Sequence, residues 1–456
     1  MTGRGGATEP SCKPVESKRA EQSPGNAILV FGGFSTNNKG DHAMLIGLLD
    51  FLRETSSGIH RIVYSTRPDL LREHIEADIR TSPEQFFKFG RSRRLGVNPY
   101  QYLLRLRAFA RGLRFFALFQ LYRSTGLFLG RKRYCKEFFE QLATAKAVVF
   151  SGGGYLNSIW WLEELYAKYF IAEVAHWAGI PVLLTSQGIG PFTHPLDRRV
   201  AARLFRNAEL VGVRDGTGSI SQLQELGAVR PERIFCTGDD ACLLSPLPDK
   251  QIRQILQQER VPEGKLLVAF NFRDGSRYTG SFTSVAPQRY ARILDSILSL
   301  GNIHGVFIPV SYNSNDDDRR RAEEIIALMK QRASVTILQG EYGPDQLKSL
   351  VGSMHLAIGT SYHFNLFALS GNVPAIGLYN DLYYRKKLTG LFSMYEMNSS
   401  CYSLGESSLN EIEAAVRELL ERRNEAARQL METNLKLDCI FRDAHARLAQ
   451  FLGSKA

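Results

Sequence analysis

Two arginines and a histidine stand where a chain could bind an anion and move a proton. Arg214 directly follows an apolar run at residues 209–213. An arginine at the carboxyl end of a buried strand can offer paired N–H bonds to phosphate or carboxylate. The plainer alternative is a salt bridge, with Asp215 as its partner. Arg273, after Asn271-Phe272, admits the same two readings. His363 lies in Gly359-Thr360-Ser361-Tyr362-His363, between an apolar run and a helical stretch. A histidine there can transfer protons near neutral pH, or it can simply cap the helix.

Two loops have the composition of anion cradles. Asn37-Asn38-Lys39-Gly40-Asp41 opens a helix, where backbone N–H groups and the helix dipole attract negative charge. The alternative is that Asn38 or Asp41 simply caps the helix. Ser151-Gly152-Gly153-Gly154 would bring backbone close to a ligand ahead of a second helix, or make only a tight turn. Neither loop is a Walker A or a G-x-G-x-x-G motif. The run Asp316-Asp317-Asp318 is read as a solvated helix cap, and no metal is assigned to it.

Short apolar runs alternate with helical periodicity around these residues. Strands are expected at Ala27–Phe31 and at 62–65, 147–150, 181–185, 209–213 and 233–237. After Ser245-Pro246-Leu247-Pro248 the alternation restarts, with strands expected at 266–270, 305–309, 335–338, Leu356–Gly359 and 375–378. The pattern predicts an α/β chain of two doubly wound Rossmann-like domains, residues 26–245 and 246–395, facing a central crevice. Charged helices complete the chain at 396–456. Ligands of such sheets bind at the carboxyl ends of the strands, where the glycine-rich turns fall.

The chain has 456 residues, 44% hydrophobic and 23% charged, which excludes a fibrous or mostly disordered protein. Its net charge of +11 points to an anionic partner. Residues 88–136 hold 13 Lys or Arg and no Asp or Glu, more than the whole net charge. Interleaved aromatic and leucine residues make this segment either a basic amphipathic element for an anionic membrane or a domain helix with a solvated basic face. Nucleic acid is disfavoured, since no recognised module accompanies the charge. Six scattered cysteines include no C-x-x-C pair, which suits a reducing cytoplasm. Residues 1–25 read as a disordered tail rather than a signal peptide. No apolar run reaches the roughly 18 residues of a membrane span.

The order of these motifs is more specific than any one of them. Asn38-Lys39-Gly40-Asp41 is followed by Gly152-Gly153-Gly154, Gln187-Gly188-Ile189-Gly190-Pro191, Val213-Arg214-Asp215 and Gly238-Asp239. Then come Tyr362-His363-Phe364-Asn365, Gly371-Asn372-Val373-Pro374, Tyr379 and Lys386. Over residues 26–391, apart from the basic insert, this order resembles the polysaccharide pyruvyl transferase family. The resemblance implies a GT-B-like fold and transfer of a pyruvyl group from phosphoenolpyruvate to a sugar of a glycan or lipid-linked glycan, forming a ketal. It implies Arg214 on the donor's anionic groups and His363 as acid or base. Asn38, Gly40, Asp41, Gly152, Gly153, Gly154, Gln187, Arg273, Ser361, Tyr362 and Lys386 would line the site. Ser361 stands where the family usually has an arginine, so one cationic contact to the donor is either missing or supplied elsewhere, by Arg273, Arg385 or Lys386. The scheme requires no metal or redox cofactor, and it places the enzyme in the cytoplasm at the inner face of the membrane. The competing readings are a nucleotide-sugar glycosyltransferase of the same architecture and a catalytically degenerate, membrane-associated relative.

Overall fold

The computed structural model describes residues 27–32, 37–56, 58–88, 100–227, 230–273, 285–314 and 316–454. The expected tail at 1–25 lies outside the described residues. Two parallel sheets dominate. The first contains β1 (Ala27–Phe31), β2 (His60–Ser65), β3 (Asp78–Thr81), β4 (Ala145–Phe150), β5 (Gly153–Leu156), β6 (Val182–Ile189), β7 (Leu210–Val213) and β8 (Ile234–Cys236). Their spatial order is β3-β2-β1-β4-β6-β7-β8, with β5 paired to β6. The second contains β9 (Leu266–Asn271), β10 (Ile303–Phe307), β13 (Val335–Ile337), β14 (Leu356–Gly359), β15 (Ala375–Tyr379) and β16 (Cys401–Ser403). Its order is β13-β10-β9-β14-β15-β16. A small antiparallel hairpin, β11 (Tyr312–Asn313) with β12 (Asp316–Asp317), sits beside it.

Period-two alternation explains why strands that read as unbroken apolar runs are buried on both faces. In β1, Leu29 and Phe31 face a cluster with Tyr64, Phe138 and Phe150, where the Phe31 and Tyr64 rings stack at 4.6 Å. Ile28 and Val30 face the opposite way, onto Leu45, Leu48, Leu49 and Leu52 of the helix Lys39–Thr55. In β9, Val268 and Phe270 meet the helices Pro287–Leu298 and Leu409–Glu421, while Ala269 faces Leu366 and Phe367.

The helical tail also bridges the sheets. Helix Arg423–Ser454 places Leu430, Leu437 and Phe441 in a cluster rich in second-domain residues. Two and three turns further on, Leu448 and Leu452 pack in a cluster of the first domain. His445 Nε2 lies 3.5 Å from Asp240 Oδ1.

One local expectation is corrected. Gly152-Gly153-Gly154 does not begin a helix: Gly153 and Gly154 start β5, and helical turns begin only at Trp161. Gly153 has φ +138, a conformation that L side chains rarely adopt, so the glycines serve an irregular extended turn. Of the two readings of the basic segment, the structure shows a domain helix, Tyr100–Thr125, that is in part a core element. Phe115 and Phe119 are buried against Phe139 of the helix Arg133–Leu142. Arg105 is buried as well, with Nε 2.9 Å from Asp197 Oδ1 and Nη2 2.8 Å from Oδ2.

Candidate active site

The carboxyl ends of both sheets meet at a cavity of about 520 Å³. Backbone bonds between the domains hold its rim. Lys39 N–H donates to the Val310 carbonyl at 2.9 Å, and Tyr312 N–H donates to the Asn37 carbonyl at 2.8 Å. Asn38 caps the helix Lys39–Thr55 by accepting from the Gly40 N–H. This cap turns the first helix end toward the second domain.

Arg214 enters from the end of β7 and is 3% exposed. Its guanidinium lies 3.9 Å from the centre of the Tyr362 ring. Asp239, just past β8, spends Oδ1 on the Ala241 N–H. Its Oδ2 lies 3.8 Å from both Arg214 Nη1 and His363 Nε2, beyond hydrogen-bond length. As a result Arg214 Nε and Nη1, His363 Nε2, Asp239 Oδ2 and the Tyr362 hydroxyl are buried without hydrogen-bond partners. Buried polar atoms are normally paired, and a cluster of unpaired polar groups at a cavity suits a polar ligand.

Glycines from three elements, β5, β6 and the helix Lys39–Thr55, permit this crowding. A Cβ on Gly188 would fall 2.7 Å from Arg214 Nε, and one on Gly154 would fall 3.0 Å from Nη2. A Cβ on Gly40 would overlap the His363 ring at 2.0 Å.

The electrostatics favour an arriving anion. Burial, with Lys387, Arg214 and Arg273 nearby, pushes His363 well below its usual value of 6.5. The imidazole is therefore neutral at pH 7. Burial, together with Arg214, lowers the Lys387 ammonium to about 7. Lys387 extends from the helix Leu382–Met394 with Nζ 5.1 Å from the Tyr362 ring centre. A bound phosphate or carboxylate would reverse these shifts by placing negative charge beside both groups.

A different pair stands beside these groups. Asp41 Oδ2 accepts from the Tyr155 hydroxyl at 2.5 Å and from Asn38 Nδ2 at 2.9 Å. Burial outweighs these bonds and raises Asp41 to about 6. Asp239 is likewise raised to about 6, chiefly by burial and against the pull of Arg214. A carboxylate in that range can accept a proton from a hydroxyl near neutral pH.

Of the residues picked out in the sequence, Asn38, Asp41, Gly154, Arg214, Arg273, Ser361, Tyr362 and His363 line the cavity. Gly40 stands directly behind His363. Arg273 reaches the cavity while Nε bonds Asp316 Oδ2 at 2.7 Å. Ser361 starts the helix Tyr362–Ser370 without a side-chain capping bond.

Gly152, Gly153, Gln187 and Lys386 do not line the cavity. Gly152 packs on Ser186. Gln187 is buried, and its amide donates to the carbonyls of Phe150, at 3.1 Å, and Ser151, at 2.9 Å. It fastens β6 to the end of β4 and has no donor left for a ligand. Lys386 and Arg385 are exposed on the helix Leu382–Met394, and the neighbouring Lys387 turns inward. One residue is about 100° of helix, enough to exchange solvent for cavity.

Sequence reasoning missed Lys387, Asp239, Tyr155 and Tyr383. Asp239 carried the same signal as Arg214, a charged residue just past an apolar run. The other three carried none, because nothing in their local pattern marks the inward side.

Comparisons with known proteins agree with this architecture. The description of the polysaccharide pyruvyl transferase family matches residues 38–381. The amylovoran biosynthesis protein AmsJ of Erwinia amylovora is 21% identical over 398 residues, covering 84% of this chain and 90% of AmsJ. Among solved structures, Anabaena HepE in complex with UDP superposes with a TM-score of 0.54 at 14% identity, over 94% of this chain and 99% of HepE. UDP-GlcNAc 2-epimerase from Neisseria meningitidis, bound to UDP-GlcNAc, gives a TM-score of 0.56 at 12% identity over the same shares. At these identities the two structures bear on the fold alone, which is GT-B-like. With the motifs, the paired sheets and a family match across most of its length in agreement, the chain belongs to the polysaccharide pyruvyl transferase family.

Proposed function

We propose that this protein acts in polysaccharide biosynthesis by moving the pyruvyl group of phosphoenolpyruvate onto a sugar of a glycan or lipid-linked glycan. The observation that carries this reading is the group of unpaired buried donors on Arg214 and His363 at the cavity wall, with Lys387 beside them. Phosphoenolpyruvate bears a phosphate and a carboxylate, and needs such donors in a dry site.

In the proposed reaction a sugar hydroxyl oxygen bonds to the central carbon of the donor. Its proton passes to Asp41, and the methylene carbon gains a proton and becomes methyl. A second sugar hydroxyl then displaces phosphate, which takes up that hydroxyl's proton; this closes the ketal and releases inorganic phosphate. Arg214 and Lys387 hold the donor's anionic groups. His363, neutral in the empty site, gains a proton as the anion binds and delivers it to the methylene carbon. Arg273 closes the second-domain side in place of the arginine that Ser361 replaces. The acceptor would be met in the cytoplasm, at the inner membrane face.

The test is a thermal-shift titration with phosphoenolpyruvate, wild type beside Arg214→Ala, and with UDP-glucose in parallel. A saturable rise with phosphoenolpyruvate that the variant loses supports the donor assignment. A rise with UDP-glucose only would replace it with sugar transfer. His363→Ala should retain donor binding and lose phosphate release in the presence of acceptor glycans. Full turnover by that variant would remove His363 from the chemistry.

A further inference from the structure

We propose that the basic segment is a docking surface for an anionic membrane, with lipid phosphates seated in a groove outside the crevice. The groove, of about 420 Å³, lies between the helix Tyr100–Thr125, the helix Arg133–Leu142 and the turn Pro83–Phe87. Lys88, Arg111, Arg114, Arg131 and Lys132 line it, and among the described residues no carboxylate does. The nearest acidic residues on the neighbouring helix are engaged elsewhere: Glu137 pairs with Arg133 at 3.0 Å and Glu140 with Lys136 at 3.4 Å. Five cations around one concave space make a site for phosphate oxygens.

Apolar side chains stand on the same outer surface. On the helix, Leu103, Leu106, Ala110, Leu113 and Ala117 recur at three- and four-residue spacing and are all exposed, with exposed Arg107 and Arg114 along one side of the stripe. Beyond the helix, Leu127 is 61% exposed and Leu129 is 72% exposed. Phe128, between them, packs on Phe139 with ring centres 6.0 Å apart. That inward ring holds the loop while its two leucines project. Trp177, also exposed, extends the patch from its edge contact with Phe116. Exposed leucines, a tryptophan and a ring of cations on one face match the interface of a bilayer, where apolar side chains enter the acyl boundary and cations meet headgroups. A nucleic acid would satisfy the cations and leave the leucines in water.

The helix is also firmly held from behind. Buried Phe115 and Phe119 and the Arg105–Asp197 ion pair fix its inner side, so the outer face is a built surface. Lys88 lines both this groove and the crevice, which places a docked bilayer at the rim of the cavity. The inference does not depend on which donor the crevice takes.

The test is cosedimentation of the full chain with vesicles of 30% phosphatidylglycerol and 70% phosphatidylcholine, and with pure phosphatidylcholine, at 150 mM salt. Wild type should bind the anionic vesicles at least tenfold more tightly than the neutral ones. The double variant R114E/K132E should lose at least tenfold of that binding. L127S/L129S should weaken it while keeping its salt dependence. Both variants should melt as wild type does, and their response to phosphoenolpyruvate should match wild type, whatever that response is. Absence of wild-type binding to anionic vesicles would overturn the proposal, as would full binding by R114E/K132E. It would also fall if free pyrophosphate or a DNA duplex bound with the same charge-reversal loss while vesicles did not.

Discussion

Arg105 and Arg214 are two arginines buried to the same degree, each 3% exposed, and their surroundings differ in one respect. Both lie on an aromatic ring, Arg105 at 4.4 Å from the Trp161 centre and Arg214 at 3.9 Å from that of Tyr362. Arg105 makes two parallel bonds to Asp197, and Gln101 takes a third N–H at 3.1 Å. Asp197 is held in turn by Ser158 at 2.8 Å and Tyr166 at 3.2 Å. Arg214 faces its carboxylate at 3.8 Å and leaves Nε and Nη1 unpaired. Burying a charge costs several kcal/mol unless partners compensate it. The fold compensates Arg105 internally and leaves Arg214 to be completed from outside. Burial of an arginine is therefore no sign of function by itself; Arg214 differs in leaving unpaired N–H groups where a cavity opens.

The comparison predicts opposite phenotypes. Arg105→Ala should destabilise the fold by about 3–5 kcal/mol, the cost of orphaning a buried carboxylate. Folded molecules of that variant should keep wild-type donor affinity, so thermal melting falls and the donor-binding isotherm does not move. Arg214→Ala should do the reverse, losing about 100- to 1000-fold in kcat/KM with little loss of stability. Steady-state kinetics beside a melt would separate the two, and equal stability losses would erase the distinction.

A smaller effect is expected from the raised carboxylates. The ordinary value of 3.8 for Asp41 becomes about 6 in the folded chain. A raised folded value means that the native state binds the proton more tightly. The resulting stability is present below about pH 4 and is lost as pH rises through 6. For one such group this is about 2–3 kcal/mol. Asp41→Asn, which cannot ionise, should gain on wild type by that amount between pH 4 and 7, read from denaturant midpoints across pH. Parallel curves would mean that Asp41 ionises without penalty.

Donor binding should also take up protons. Lys387 is lowered to about 7 and His363 lies well below 6.5, so an arriving anion draws a proton onto them at pH 7.5. Calorimetry in two buffers of different ionisation enthalpy would read this as net uptake, and zero uptake would argue that neither group faces the anion. The smallest effect belongs to the adjacent lysines. Lys386→Ala should change donor affinity by less than about 0.5 kcal/mol, as a surface change does, while Lys387→Ala should weaken binding measurably.

Much of the fold was legible in the chain, for identifiable reasons. β1 and β14 fall where apolar runs end in glycine or a polar turn, and their bounds agree with expectation. β3 and β16 did not stand out, because Asp78–Thr81 and Cys401–Ser403 are short and lack an apolar run. The triple glycine misled because its composition suits both a helix-opening loop and an irregular strand. Only the packing of Gly152 on Ser186 and the φ of Gly153 distinguish them.

The sequence by itself determined the alternation of strands and helices, and so the parallel sheets and the strand ends where Arg214, Asp239, Arg273 and His363 stand. These follow from local periodicity and backbone preference, which act over a few residues. The tertiary structure alone decided that Lys387 rather than Lys386 faces the cavity, that Gln187 is spent on backbone carbonyls, and that Arg105 is satisfied while Arg214 is not. Each of those outcomes turns on a distance between residues far apart in the chain. Hydrogen-bond satisfaction is a property of the assembled pair, and no local pattern encodes it.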